Sequence, residues 1–89
     1  MKVRNNFILR RILDDSLLIP TGEAALKVQG MVALSESGSM LYQMLQTGCD
    51  KDDLLAAMLR EYVIDPETAE KDIDGFLDQM RQLDMLDED

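Results

Sequence analysis

The 89-residue chain has no histidine and a single cysteine, Cys49. A structural zinc site needs several cysteine or histidine ligands, so this class of site is excluded, and only carboxylates are present in number. Without a histidine to take its proton, Cys49 is also a poor candidate for a catalytic nucleophile. The sequence contains no phosphate-binding glycine loop and no dinucleotide fingerprint. We therefore expect no catalytic residue, no metal and no cofactor, and hence no enzyme.

Long hydrophobic runs are also missing. The longest apolar stretches have about four residues, against the roughly 20 that a membrane-spanning helix needs, and no signal peptide is visible. The lone cysteine cannot form an internal disulfide, which suits a reducing compartment. We expect a cytoplasmic protein that does not contact membranes.

Aromatic residues are few, with no tryptophan, two phenylalanines and two tyrosines. The core must therefore come from aliphatic side chains and from seven methionines, which are the most deformable apolar residues. A chain of this length buries only roughly 60% of the surface that its unfolded form exposes. We expect one domain over residues 1–89, with a modest core to which a partner can add apolar contacts.

The net charge of −9 is unevenly distributed along the chain. Residues 1–30 carry a net charge of +2, whereas residues 31–89 carry four basic and fifteen acidic side chains, a net of −11. The acidic part repels nucleic-acid phosphates and anionic membranes over about a Debye length. This charge either only aids solubility or steers a basic partner to the protein.

The N-terminal third predicts a small three-stranded antiparallel sheet. Residues 7–13 and 16–20 are apolar runs on either side of Asp14 and Asp15, which indicates a hairpin. Residues 31–34 (MVAL) form the third predicted strand. The segment before it, residues 24–29, is compatible with a short helical turn or with a return strand.

From Ser35 onward the spacing of apolar residues changes from two to 3.6, which is typical of helices. Ser35 and Ser37 can both cap the first helix, and Gly48 ends it. Asp50, followed three residues later by Asp53, opens the second helix.

The Asp65-Pro66 pair is the strongest local signal and starts a third helix that extends to residue 83 or beyond. Gly75 interrupts this helix at a cost of about 1 kcal/mol relative to alanine. Either Gly75 is an exposed neutral position or it allows another backbone to approach closely.

These elements predict an α+β fold that is winged helix-turn-helix-like, with a small three-stranded antiparallel sheet followed by three helices. The sheet covers residues 7–34, the helices residues 35–86, and residues 87–89 are a frayed tail. A winged helix raises the question of DNA binding, which requires a basic recognition helix. Because the second and third helices are mostly acidic, we expect no nucleic-acid partner and favour protein contact.

Several segments occur in a characteristic order. The first three are Arg10-Arg11, LLIPTGE (residues 17–23) and LSESG (34–38). A leucine-rich helix with a glycine turn follows, and then an acid-capped helix that ends in Glu61-Tyr62. The last two are Asp65-Pro66 and a helix with the pattern D-hydrophobic-x-x-F-L. Over residues 7–86 this order resembles the family of coenzyme PQQ synthesis protein D (PqqD). One difference is Ser35, where the family pattern commonly has asparagine; both residues can cap a helix.

The resemblance implies a winged helix-turn-helix that acts as a peptide chaperone for ribosomally made, post-translationally modified peptides. In that family the leader of the precursor peptide adds a strand beside the third β-strand, in a groove against the last helix. The chaperone then delivers the precursor to a modifying enzyme, often a radical SAM protein. Residues 23–29 form a longer connection than the tight turn of members in coenzyme PQQ biosynthesis. The client is therefore open between the PQQ precursor and another modified peptide.

By this resemblance, the third strand presents the edge and the last helix forms the wall of a peptide site. The predicted peptide-binding residues are Met31, Val32, Ala33, Leu34, Ile73, Phe76, Leu77 and Met80. Since an apolar helix stripe is usually core, only one or two of the four helical residues are expected to touch the peptide. An acidic face formed by Glu70, Asp74 and Asp78 is a weaker candidate for contacts with basic residues of the client or its enzyme.

Two alternatives remain beside the peptide chaperone. The same open strand edge can pair with a second copy and give a homodimer, since an unpaired edge is a general liability. A DNA-binding regulator is the less favoured alternative. Carboxylates Asp72, Asp74 and Asp78 on the last helix favour a solvated face over a cation site, because no calcium-binding loop accompanies them.

Overall fold

Four helices and two antiparallel sheets make up the structure, a computed structural model that describes residues 1–28 and 30–88. In chain order, the elements are β1 (Lys2–Val3), β2 (Phe7–Ile12), β3 (Asp15–Pro20), α1 (Ala24–Lys27), β4 (Val32–Leu34), α2 (Glu36–Thr47), α3 (Lys51–Glu61), α4 (Pro66–Gln82) and β5 (Leu86–Asp87). One sheet has the order β2-β3-β4, and the other pairs β1 with β5. This confirms the predicted α+β fold, in which a three-stranded antiparallel sheet precedes the three long helices. In the described ranges, no helix has the length and apolar character needed to span a membrane.

The β2-β3 hairpin turns at Leu13 and Asp14, one residue earlier than predicted. Asp15 belongs to β3 and pairs with Ile12, while Leu13 has a φ of 56°. A two-residue hairpin loop needs positive φ values, which leucine adopts only at some cost. This register directs Leu18 to the interior, where it is fully buried. A slip by one residue would turn Leu18 to the solvent, so burial decides the turn position.

A fourth helix, α1, lies between β3 and β4, where the sequence left a helical turn and a return strand open. Its single turn is closed by the Val28 amide, which donates to the Ala24 carbonyl at 2.8 Å. Ala24 is buried against the core. The prediction of three helices therefore missed one, and residues 7–34 are not all sheet. Gln29, the last residue of the ambiguous segment, lies outside the described residues.

The predicted caps open the three longer helices. Ser35 accepts a hydrogen bond from the Gly38 amide at 3.1 Å, which makes Ser35 and not Ser37 the cap of α2. At α3, the carboxylates of Asp50 and Asp53 accept hydrogen bonds from each other's backbone amides in a capping box. Asp65 caps α4, with Pro66 in the first turn. Local sequence therefore suffices to start each of these helices.

The C-terminal segment departs from the prediction that helix extends to residue 86 and that residues 87–89 fray. Helix α4 ends in a Schellman turn, in which Asp84 has a φ of 54° and the Met85 amide donates to the Met80 carbonyl at 2.9 Å. Asp87 then pairs with Lys2 in the β1-β5 sheet. Glu88 accepts hydrogen bonds from Arg81 at 2.9 and 3.2 Å. The prediction was wrong for residues 87 and 88 because their partners lie elsewhere in the chain; Asp89 is outside the described residues.

One core joins the sheet to all three long helices. Its fully buried larger side chains are Leu18, Leu41, Tyr42, Leu45, Leu54, Met58, Ile73, Met80 and Met85. Helix α4 supplies the stripe Ala69, Ile73, Phe76, Leu77 and Met80. Because this stripe is buried, the rotation of α4 about its axis is fixed. The residues on its other faces therefore point away from the core.

The cap of α4 generates a prediction for pH. The Asp65 carboxylate accepts a hydrogen bond from the Thr68 amide at 2.7 Å, which lowers the pKa of Asp65 below its ordinary value of 3.8. Such a group stabilises the fold above its ordinary pKa, and this contribution disappears as the pH falls through the lowered pKa. Asp65→Asn keeps a capping oxygen but cannot ionise. We expect the wild type to be the more stable at pH 6, and the difference to disappear as the pH falls below the ordinary value of 3.8 and through the lowered pKa of Asp65. Urea unfolding of both proteins measures this, and a difference that is constant with pH would contradict it.

Candidate functional site

A groove of about 350 Å³ lies between β4 and α4. One wall comes from β4 and the start of α2, with Ala33, Leu34, Ser35, Ser37, Gly38 and Leu41. The other wall comes from α4, with Asp72, Gly75, Phe76 and Gln79. Its volume falls at the lower end of the range for ligand pockets, which suits a few side chains of an extended segment.

The groove runs along a free strand edge. Strand β4 pairs with β3 through Leu34 with Ser16, Ala33 with Leu17 and Val32 with Leu18. In residues 1–28 and 30–88, no strand pairs with the opposite edge of β4. Backbone amides and carbonyls on such an edge are available to another chain.

The predicted strand residues divide between groove and surroundings. Ala33 and Leu34 line the groove, whereas Val32 is half-buried, packs against the core and does not line the groove. Met31 precedes the strand and is 57% exposed. The sequence therefore locates the edge correctly but makes the strand one residue too long.

The predicted helical residues are mainly core. Ile73 and Met80 are 0% exposed and Leu77 is 2% exposed, and none of the three lines the groove. Phe76, which is 7% exposed, contributes both to the core and to the groove wall. This agrees with the expectation that a helix stripe is mostly core.

The groove-facing residues of α4 lie beside that stripe. Asp72, Gly75, Phe76 and Gln79 have the spacing i, i+3, i+4 and i+7, which places them on one helix face. Asp72 and Gln79 were not predicted as site residues, since polar side chains on a helix usually face solvent. Gly75 was noticed in the sequence, because a glycine destabilises a helix that is otherwise rich in good helix formers. A Cβ atom built at Gly75 has no neighbour within 4 Å, so the missing side chain leaves open space in the groove.

Gly38 sets how closely the two walls approach. A Cβ atom at this position would lie 3.2 Å from Ser35 Oγ, 3.6 Å from Phe76 Cδ1 and 3.7 Å from Leu34 Cβ. The first turn of α2 therefore packs directly on Phe76. The Ser35 cap holds this turn at the point where β4 ends.

The groove is lined by both apolar and polar groups. It combines apolar surface from Leu34, Leu41 and Phe76 with two serine hydroxyls, one carboxylate and one amide. In the described ranges, no three potential metal ligands come together. Cys49 lies elsewhere, in the turn between α2 and α3, where burial and nearby Asp53 raise the pKa of its thiol. A raised pKa reduces the thiolate fraction, which makes the thiol less nucleophilic.

The fold and the groove define a small α+β domain with an unpaired strand edge beside its last long helix. The sequence profile of the family "Coenzyme PQQ synthesis protein D (PqqD)" matches residues 17–86, and the chain belongs to this family. This confirms the resemblance found in the sequence. The matched region contains both walls of the groove.

A solved structure has the same fold. It is described as TbiB1 in complex with the TbiA(beta) leader peptide, and it superposes with a TM-score of 0.77. The two sequences are 24% identical, and the similarity covers 98% of this chain and 95% of the other. A search of curated protein sequences gave no significant match.

The two glycines of the groove generate different predictions for the stability of their alanine variants. Gly75→Ala should raise the free energy of unfolding by roughly 0.5–1 kcal/mol, because alanine favours a helix and its methyl group meets no atom. Gly38→Ala is the matched control and should give no such gain, since its methyl group would press on Ser35 Oγ. Urea unfolding followed by circular dichroism measures both. An unchanged Gly75→Ala variant, or a stabilised Gly38→Ala variant, would contradict this account.

The α2 cap generates a further prediction. Ser35→Ala should lower the free energy of unfolding by about 1 kcal/mol, because the Gly38 amide loses its acceptor. Ser35→Asn should retain most of the stability, since asparagine is also a good cap. Ser37→Ala removes a neighbouring hydroxyl that is not the cap and should change stability by less than about 0.5 kcal/mol. Equal losses in Ser35→Ala and Ser37→Ala would show that capping by Ser35 is unimportant.

Proposed function

We propose that the protein binds the leader of a ribosomally synthesised precursor peptide by strand addition and delivers it to a modifying enzyme of the radical SAM type. The leader forms a fourth strand beside β4 and lies in the groove against α4. The protein contributes no catalysis of its own. The observation that carries this proposal is the free edge of β4, which faces a groove with a specific set of lining residues.

The groove provides what strand addition requires. An added strand gains affinity from backbone hydrogen bonds and specificity from pockets for alternate side chains. Ala33 is small and exposed, which leaves room for the side chains of a neighbouring strand. Leu34, Leu41 and Phe76 form an apolar floor for the side chains that point toward α4.

The similar proteins support the same function. The chain belongs to a family that acts on peptide precursors, and the similar solved structure, TbiB1, is bound to a leader peptide. That similarity covers nearly the whole of both chains, so the region that forms the groove is present in each.

Because the edge of β4 is short, backbone hydrogen bonds alone can contribute only part of the binding affinity. On a strand edge alternate residues direct their N–H and C=O groups outward, so three residues offer about two to four groups. Each hydrogen bond contributes about 0.5–1.5 kcal/mol net, and a millimolar complex already requires about 4 kcal/mol. Side chains in the groove must therefore supply much of the affinity. For this reason the α4 face decides which peptides bind.

The test uses a phage library of random 15-residue peptides selected on the immobilised protein. A synthetic copy of the enriched peptide is then titrated into isotopically labelled protein, and its amide signals are followed. We expect shifts in residues 31–34 and 72–79. Gly75→Gln should weaken binding at least about tenfold, because its side chain fills the groove without disfavouring the helix.

Ala56→Gln is the matched control, since Ala56 is exposed on α3 and lies outside the groove. This variant should bind as the wild type does. Failure to enrich any peptide would overturn the proposal. Bound peptides that leave residues 31–34 unshifted, or equal binding by Gly75→Gln and Ala56→Gln, would overturn it as well.

The homodimer through the β4 edge is the competing function, and it uses the same hydrogen-bonding groups. Light scattering of the protein with and without the selected peptide distinguishes the two. The peptide proposal predicts a monomer in the peptide complex. A dimer that persists at saturating peptide would favour the alternative.

A further inference from the structure

Among the residues that the structure describes, Asp72 is the one charged side chain that lines the groove. Its neighbours on α4 are engaged elsewhere: Asp74 binds Lys51 Nζ at 2.7 Å, and Asp78 binds Arg81 at 2.7 Å. Glu70 also contacts Lys51 Nζ, at 3.4 Å. Throughout residues 1–28 and 30–88, Asp72 has no ion-pair partner within 4.0 Å. The adjacent Lys71 does not line the groove.

The surroundings of Asp72 suit a long cationic side chain. Gly75, one turn further along α4, leaves a surface without a side chain between Asp72 and Phe76. The aliphatic stem of a lysine or an arginine can lie across such a surface while its charged end reaches a carboxylate. A guanidinium can in addition donate two parallel hydrogen bonds to one carboxylate, which favours arginine over lysine.

Helix and strand spacings fix how many peptide side chains fit. Asp72 and Gln79 are separated by about 10 Å along the axis of α4, at 1.5 Å per residue. Successive side chains on one face of a strand are about 6.8 Å apart. An added strand that runs along α4 therefore directs two consecutive inward side chains to this wall, which are residues i and i+2 of the peptide.

We propose that the groove selects a peptide segment with a basic residue, preferably arginine, two positions from an apolar residue. The basic side chain pairs with Asp72 and lies over Gly75, and the apolar side chain packs on Phe76, Leu34 and Leu41. The overall acidity of residues 31–89 favours the approach of such a segment. This inference rests on the proposed function and names the peptide chemistry that the same groove recognises.

The same random peptide library tests this inference with variants of Asp72. On the wild type, we expect lysine or arginine to be enriched at one position, with an apolar residue two positions away. Asp72→Asn should abolish the basic preference and weaken binding of the wild-type-selected peptide by roughly tenfold. Asp72→Lys should select aspartate or glutamate at the same position.

Asp87→Asn is the control, because it makes the same charge change at an exposed position outside the groove. It should leave both the selected motif and the affinity unchanged. Circular dichroism of each variant verifies that it is folded before selection. In 0.5 M salt, the wild-type advantage over Asp72→Asn should shrink, since an ion pair open to solvent is screened.

The outcomes separate the two proposals. Peptides that bind at the β4 edge without a basic preference, or a preference that Asp72→Lys does not reverse, would overturn this inference and leave the proposed function intact. Peptides that do not shift residues 31–34 would overturn the proposed function itself. Loss of the motif in Asp87→Asn would also overturn this inference, because net charge and not Asp72 would then set the preference.

Discussion

Burial of the apolar stripe on α4 is the interaction on which the rest of the structure depends. Ile73, Leu77 and Met80 are almost completely removed from solvent, and together they fix the rotation of the helix about its axis. Full burial of one such side chain contributes about 1.5–3 kcal/mol, so a rotated helix would be strongly disfavoured. Because these three positions are fixed, Asp72, Gly75 and Gln79 are directed to the groove. The core thus determines the chemistry of the surface beside it.

The free edge of β4 is tolerated because the strand is short and is followed at once by a helix. It has only three residues, and the capped start of α2 follows it directly. Proteins limit the exposure of strand edges in these ways, since longer flat edges promote aggregation. The arrangement keeps the edge accessible along one line, beside α4. A segment that pairs there must also fit its side chains between the two walls, which separates recognition from nonspecific strand pairing.

The charges on the helices have unequal roles. Pairs such as Lys51–Asp74 and Arg81–Asp78 join exposed groups, and exposed pairs contribute about 0–1 kcal/mol each. Their larger effect is on the charge around Asp72, because they neutralise the neighbouring carboxylates of α4. Asp72, which lines the groove, has no ion-pair partner among the residues that the structure describes. The predicted acidic face of Glu70, Asp74 and Asp78 is therefore largely engaged in contacts within the protein.

The sequence alone determined the order of β2, β3, β4 and the three long helices, the family, and the starts of those three helices. Those features depend on residues within one turn of each other, such as Ser35 with Gly38 or Asp65 with Thr68. The tertiary structure decided the pairing of Lys2 with Asp87, the left-handed Asp84 and the side of α4 that lines the groove. These depend on contacts between distant segments, and no local pattern distinguishes a polar residue in a groove from one in solvent. The position of the β4 edge could therefore be predicted from the sequence, whereas only packing shows that Asp72, Gly75 and Gln79 form the opposite wall of the groove.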